Sequence, residues 1–227
     1  MKVDRSKRLI SKLKINSPVT EQFKLIRKGI EFAGIDNDYR VILVTSPEAK
    51  SGKSTISANI AITYAQKGSA TLLIDADMRK PTVHQTFLKS NLKGLSTALV
   101  GETTLLDSIQ ITDIENLSVM SSGPIPPNPN KLLGSKKMAK VLDDLKKQYQ
   151  IIIIDTPPIR FVSDALELAP YTDGVIIVNK SGVTKKEDMF QVLEQLRMSR
   201  SPVIGAILNN DKEKIEHQYY YSKKENY

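Results

Sequence analysis

The 227-residue sequence contains no cysteine. A disulfide framework and a thiolate metal site are therefore excluded, and a reducing compartment is the expected setting. Histidine is almost as scarce. His84 and His217 are the only two, they lie far apart in sequence, and neither has a partner motif for a histidine-based metal or hydrolytic site. No apolar run approaches the length of a membrane span. The N-terminus has no apolar core of the signal-peptide kind, so a cytoplasmic location is expected. The guanine-reading N-K-x-D pattern is missing, since Leu208 is followed by Asn209-Asn210-Asp211-Lys212. The H-R-D and D-F-G signatures of eukaryotic-type protein kinases are missing too.

What is present is ordinary for a soluble globular chain: 40% apolar and 26% charged residues. The length suits one domain with a large core. The net charge of +8 comes from 33 basic and 25 acidic residues. Part of the excess is local. Lys2, Arg5, Lys7, Arg8, Lys12 and Lys14 stand against Asp4 alone. Residues 1–19 are expected to be a flexible basic arm, open to an anionic surface or an acidic partner. No aromatic residues interleave with that charge, so nucleic acid is not an expected partner.

The organising stretch is Val41 to Thr55, VILVTSPEAKSGKST. Val41 to Val44 reads as a strand buried on both faces. Gly52-Lys53-Ser54-Thr55 opens a helix running to Gln66. Strand, loop, Gly-Lys-Ser, helix is the order of a phosphate-binding loop, or P-loop. Its backbone N–H groups and the helix's positive end cradle phosphate, with Lys53 on the outer phosphates and Ser54 on Mg²⁺. Pro47 stands where the G-x-x-x-x-G-K-[ST] pattern has its first glycine, and Lys50-Ser51 fills a stretch often rich in glycine.

Two other strand ends carry carboxylates. Ala70 to Ile74 runs into Asp75-Ala76-Asp77-Met78-Arg79-Lys80-Pro81. Asp75 and Asp77, two residues apart, are expected to project into the crevice at the strand's carboxyl end. The run Ile151 to Ile154 is a central two-sided strand ending at Asp155, a Walker B arrangement that acts on Mg²⁺ or its water. Further strands are expected at 117–121, 175–178 and 203–208. Helices are expected over 20–32, 132–149 and 184–200, with two short ones around Gly101. This alternation gives a doubly wound, mostly parallel α/β sheet. The three strand ends together point to a Mg²⁺-nucleotide site that favours adenine, with Asn209 or Asn210 near the base. In the helix 20–32, Phe23, Ile26 and Ile30, with Leu25 and Phe32, form the apolar stripe. Glu21, Lys24 and Arg27 lie on another face. The loop 123–129, GPIPPNP, is stiff.

From Lys212 the chain turns polar. Four of its eight tyrosines, Tyr219, Tyr220, Tyr221 and Tyr227, fall in the last nine residues with almost nothing aliphatic to pack on. Tyrosines on a terminal polar segment suit phosphoryl acceptance better than core packing. The expected division is an arm over 1–19, a P-loop domain over 20–211 and a flexible tyrosine-rich tail over 212–227.

LLIDADMRKP at Leu72 to Pro81, SSGPIPPNP at Ser121 to Pro129, IIIIDTPP at Ile151 to Pro158, the P-loop and the tail together resemble the bacterial tyrosine kinases (BY-kinases) of capsular and exopolysaccharide synthesis. The chain is most similar to the separate cytoplasmic kinase subunit typical of Firmicutes. The resemblance implies a P-loop NTPase fold and ATP-dependent tyrosine phosphorylation, on its own tail and on other proteins. It places Ser51, Gly52, Lys53, Ser54 and Thr55 on the nucleotide, to which the strand-end reading adds Asn209, and Ser54, Asp75 and Asp155 on Mg²⁺. It places Lys53, Asp75, Asp77 and Asp155 in catalysis, with Asp77 nearest the incoming phenol. It also implies a ring-shaped homo-oligomer built through Glu21, Lys24 and Arg27, and activation at the inner membrane face by a membrane adaptor protein. Lys24 stands where the family motif has Arg, and that exchange weakens a bidentate contact. Two other readings compete: a partition- or division-site-type positioning ATPase, and a nucleotide-dependent scaffold. The positioning ATPases carry a lysine five residues before the P-loop lysine, where this chain has Glu48.

Overall fold

The computed structural model describes residues 9–35 and 37–210. Seven strands form one sheet in the order β3-β4-β2-β5-β1-β6-β7. The strands are β1 (Val41–Thr45), β2 (Thr71–Asp75), β3 (Ile109–Ile111), β4 (Leu117–Met120), β5 (Ile151–Asp155), β6 (Gly174–Lys180) and β7 (Val203–Asn209). Every neighbouring pair is parallel except β3 with β4.

The two-sided burial of the central strands explains their unbroken apolar runs. In β1, Val41 and Leu43 join one core while Ile42 and Val44 join the other. In β5, Ile152 and Ile154 face the first core and Ile153 the second. Successive side chains point to opposite faces, so a strand covered on both sides needs an apolar residue at every position. Helices α2 (Pro18–Ala33) and α3 (Lys53–Gln66) cover one face. The other carries α5 (Leu95–Val100), α7 (Lys136–Lys146), α8 (Asp164–Leu168) and α9 (Lys186–Met198). Helix α3 is buried continuously from Ile56 to Ala65, because α2 and the short α1 (Ile10–Leu13) pack on its outer side.

Several expectations are corrected. The described part of the basic arm is packed, not free. Leu9 is buried, the Ser11 backbone N–H donates to Asn59 Oδ1 at 2.8 Å, and Gln66 Nε2 donates to the Ser11 carbonyl at 3.0 Å. The apolar residues Leu9 and Ile10, set among the lysines, supply that anchor. Residues 1–8 lie outside the described residues, as do Tyr219, Tyr220, Tyr221 and Tyr227. Helix α2 starts at Pro18, capped by Ser17 Oγ accepting from the Thr20 N–H at 3.2 Å. Its Leu25 and Phe32 are exposed, so they leave the inward stripe of Phe23, Ile26 and Ile30. The segment 132–149 holds two helices, α6 (Pro129–Leu133) and α7, because Gly134 ends the first and Ser135 caps the second. After α5 and Gly101 (φ +87°) comes a single 3-10 turn (Leu106–Ser108), then the antiparallel edge strand β3. The short helix α4 (Val83–Thr86) follows the β2 loop and sends Val83 into the core on the α3 face.

Candidate active site

The carboxyl ends of β1, β2 and β5 meet, since β5 lies between the other two in the sheet. Register pairs Val44 of β1 with Asp155 and Asp155 with Asp75 of β2. The three predicted strand ends therefore converge on one place. A cavity of about 890 Å³ opens there, lined by Lys50, Gly52, Lys53, Ser54, Thr55 and Asp77, with Lys80 to Thr82 and Pro158 on the far side. The Pro-rich loop 123–129 is absent from that lining; Ser96 Oγ and Asn91 Nδ2 bind its carbonyls instead.

The P-loop spans the turn from β1 to α3. Gly52 sits at φ +95°, where a side chain is strained, and an added Cβ would lie 2.2 Å from Asn209 Nδ2. That amide donates to the Ser51 carbonyl at 2.7 Å. Asn209, expected near the base, thus reaches across from the end of β7 to hold the loop itself. Ser51 is buried and its hydroxyl has no protein partner. Glu48 accepts a hydrogen bond from the Thr184 hydroxyl.

Lys53 Nζ stands 3.4 Å from Asp77 Oδ2, with about a tenth of each side chain exposed. Burial disfavours the ammonium, but Asp155, Asp77 and Asp75 together outweigh it and raise the lysine's affinity for its proton. Lys53 is therefore a fixed positive charge. Asp75 is fully buried. Its Oδ1 accepts from the Asp77 N–H at 3.2 Å, and its Oδ2 accepts from the N–H groups of Thr82 and Val83 at 2.8 and 2.9 Å. Its structural work is to fold the loop 76–83 that presents Asp77. Burial, then the nearby Asp155 charge, push the Asp75 carboxyl up to about 7 against those backbone donors. Asp155 is also raised, by burial first, with Lys53 and a Ser54 hydrogen bond opposing. Its Oδ2 is buried without a partner.

That orphaned oxygen, beside the Ser54 hydroxyl, fits a hard cation. Among the described residues no three His, Cys, Asp or Glu side chains gather as a metal site. A serine hydroxyl, one carboxylate and phosphate oxygens are the donor set for Mg²⁺ rather than for a cation held by protein alone. The cavity is thus equipped to bind a nucleotide polyphosphate.

One feature had no local signal in the sequence. Arg79 clamps Asp164 with two bonds, Nε to Oδ2 at 3.0 Å and Nη2 to Oδ1 at 3.1 Å. Asp164 is wholly buried at the start of α8, so the clamp ties the loop after β2 to the segment after β5. The 85-residue separation hides it. On α2 the predicted row splits. Lys24 pairs with Glu21 at 2.7 Å on the exposed side. Arg27 instead turns inward, bonding Glu31 at 2.9 Å and stacking 6.0 Å from the Tyr64 ring centre.

The AAA domain family model, AAA_31, matches residues 39–204. The tyrosine-protein kinase YwqD of Bacillus subtilis (strain 168) is 41% identical over 209 residues, covering 92% of this chain and 88% of that one. The chain belongs to the bacterial tyrosine-protein kinases. The tyrosine-protein kinase CpsD of Streptococcus agalactiae is 38% identical over 206 residues, with 90% and 89% covered. The crystal structure of the chimerical protein CapA2B2 superposes with a TM-score of 0.86 at 41% identity, covering 89% of each chain. The kinase reading of the sequence, its P-loop NTPase fold and nucleotide binding are therefore upheld. Among the described residues no helix is long and apolar enough to cross a membrane.

Proposed function

We propose that this kinase transfers the γ-phosphoryl group of ATP, with Mg²⁺, to tyrosines of its own C-terminal cluster and of other proteins, in the control of capsular or exopolysaccharide synthesis. The observation that carries the site is the Lys53 ammonium, buried among three carboxylates where β1, β2 and β5 end. In the nucleotide complex the polyphosphate displaces part of that carboxylate company, and Lys53 neutralises charge on the phosphates. Ser54 and Asp155 hold Mg²⁺, which when bound neutralises charge across the phosphate oxygens. Asp75 fixes the loop that aims Asp77. Asp77 Oδ1 is anchored by the Lys80 N–H at 3.0 Å, leaving Oδ2 toward Lys53 and the cavity. A tyrosine phenol has a pKa near 10, and Asp77 accepts its proton as the oxygen–phosphorus bond forms. Positioning and charge neutralisation carry most of the rate.

Transfer between copies is part of the proposal, with Tyr219 to Tyr221 and Tyr227 as acceptors for a neighbour's site. The exposed Glu21 and half-buried Lys24, beside the exposed Leu25 and Phe32, offer a surface for that assembly. An adaptor's cytoplasmic segment brings the kinase to the inner membrane face. The positioning-ATPase reading is disfavoured by Glu48, a carboxylate bound to Thr184 where that class has lysine. A mixing experiment tests the proposal. Full-length wild type is incubated with ATP, Mg²⁺ and a mass-tagged Lys53→Met chain. Phosphotyrosine on the tail of the Lys53→Met chain is expected. Phosphate confined to the wild-type chain contradicts transfer between copies.

A further inference from the structure

The P-loop contains a second lysine that ordinary phosphate-loop chemistry does not require. Lys50 lies three residues before Lys53, at φ +62°. A left-handed backbone disfavours any residue with a Cβ, and glycine is the residue that removes the strain. Strain of this kind is retained where the side chain serves the site. Lys50 is exposed, lines the cavity, and makes no hydrogen bond or ion pair among the described residues. Across the cavity Lys80 is exposed as well, and only its backbone N–H is engaged, by Asp77. The cavity's charged lining is therefore Lys50, Lys53 and Lys80 against Asp77, and Asp77 is already paired with Lys53. Of the two unbalanced charges, Lys50 sits on the loop that cradles phosphate and Lys80 on the loop after β2.

We propose that Lys50 is a second polyphosphate-binding lysine, adding a cation from the crest of the P-loop to the one Lys53 supplies at its base. The proposal rests on the nucleotide reading above and deepens it. Lys50 contributes to holding ATP, and the left-handed strain is kept because a glycine there has no charge to offer.

Three full-length variants separate charge from backbone. Lys50→Asn tolerates the left-handed conformation without charge, Lys50→Gly removes both strain and charge, and Lys50→Arg keeps both. Calorimetric titration with ATP and Mg²⁺ at low and high ionic strength is the readout, with thermal unfolding alongside. The expected result is a roughly tenfold weaker Kd in Lys50→Asn and Lys50→Gly at low salt, a shallower salt dependence, and near wild-type affinity in Lys50→Arg. Lys50→Gly unfolds no lower than wild type, so the loss is not one of folding. An unchanged Kd in both neutral variants overturns the proposal. So does a loss that Lys50→Arg fails to restore, or a raised KM for acceptor peptide at unchanged ATP affinity. Any of these, with tail phosphorylation by wild type intact, leaves the kinase mechanism standing. A wild-type chain that binds no ATP overturns both.

Discussion

Replacing Asp155 by Asn should make the free protein more stable while weakening its response to Mg²⁺-nucleotide. Asp155 and Asp75 are fully buried neighbours in register across β5 and β2, and Asp155 Oδ2 has no partner. A carboxyl raised from 3.8 to about 7 costs stability. The sign follows from proton linkage. Below pH 3.8 Asp75 is protonated in both folded and unfolded chains, so nothing is lost. Between about 4 and 7 the unfolded chain ionises while the folded one does not, and stability falls. Above about 7 the loss is complete, on the order of 4 kcal/mol. Burial is the larger cause and Asp155 the next, so Asp155→Asn relieves only the lesser part of that cost, and it also takes from Lys53 the first of its supporting charges. The net gain at neutral pH is on the order of 1 kcal/mol, which for a chain of this size is a rise of roughly 2–4 °C in Tm. The assay is thermal unfolding from pH 4 to 8, with and without Mg²⁺ and ADP. The gain should be small at pH 4, grow toward pH 7 and then level off. The stabilisation by Mg²⁺-ADP should shrink in the variant. An apo Tm below wild type at neutral pH, or an undiminished response to Mg²⁺-ADP, would refute the reasoning.

Other outcomes follow from single contacts. Asn209→Ala removes the bond to the Ser51 carbonyl, at about 1 kcal/mol; titration should show ATP affinity down roughly fivefold, with the maximal transfer rate little changed. Gly52→Ala places a methyl against Asn209 at φ +95° and should abolish nucleotide binding by calorimetry while the far-ultraviolet circular dichroism stays native. Arg79→Ala leaves the buried Asp164 carboxylate unpaired, so denaturant unfolding should report a loss of about 2–4 kcal/mol. Arg79→Lys should recover only part of it, because lysine cannot form the two-bond clamp.

Short-range chemistry was the most legible part of this molecule in its sequence. Val41–Val44 and Ile151–Ile154 announced two-faced strands because both sheet faces are covered, and a carboxylate or a Gly-Lys-Ser follows each strand that reaches the site. Lys53, Ser54 and Asp77 were expected together from strand order alone, and all three line the cavity. Side-chain direction was harder to read. The spacing of Asp75 and Asp77 put both near the crevice, but the turn after β2 spends Asp75 on backbone donors and leaves Asp77 open. Asn209 was expected near the base, yet β7's position sends its amide to the Ser51 carbonyl of the loop. Arg79 with Asp164, and Arg27 with Glu31 and Tyr64, are settled by tertiary packing that no local spacing encodes. The break between α6 and α7 was visible in Gly134-Ser135, a helix stop followed by a cap, but the apolar period continues across it.

The central claim is that the convergence of three strand ends transfers phosphate to tyrosine. Its most direct test is intact-mass and tail-peptide mass spectrometry of the full-length protein after incubation with ATP and Mg²⁺, with and without an adaptor's cytoplasmic peptide. Lys53→Met and Asp77→Ala serve as controls. The predicted result is phosphate on Tyr219 to Tyr221 or Tyr227 in the wild type and none in either control. ATP binding or hydrolysis without phosphotyrosine, or equal phosphate in the controls, would contradict it.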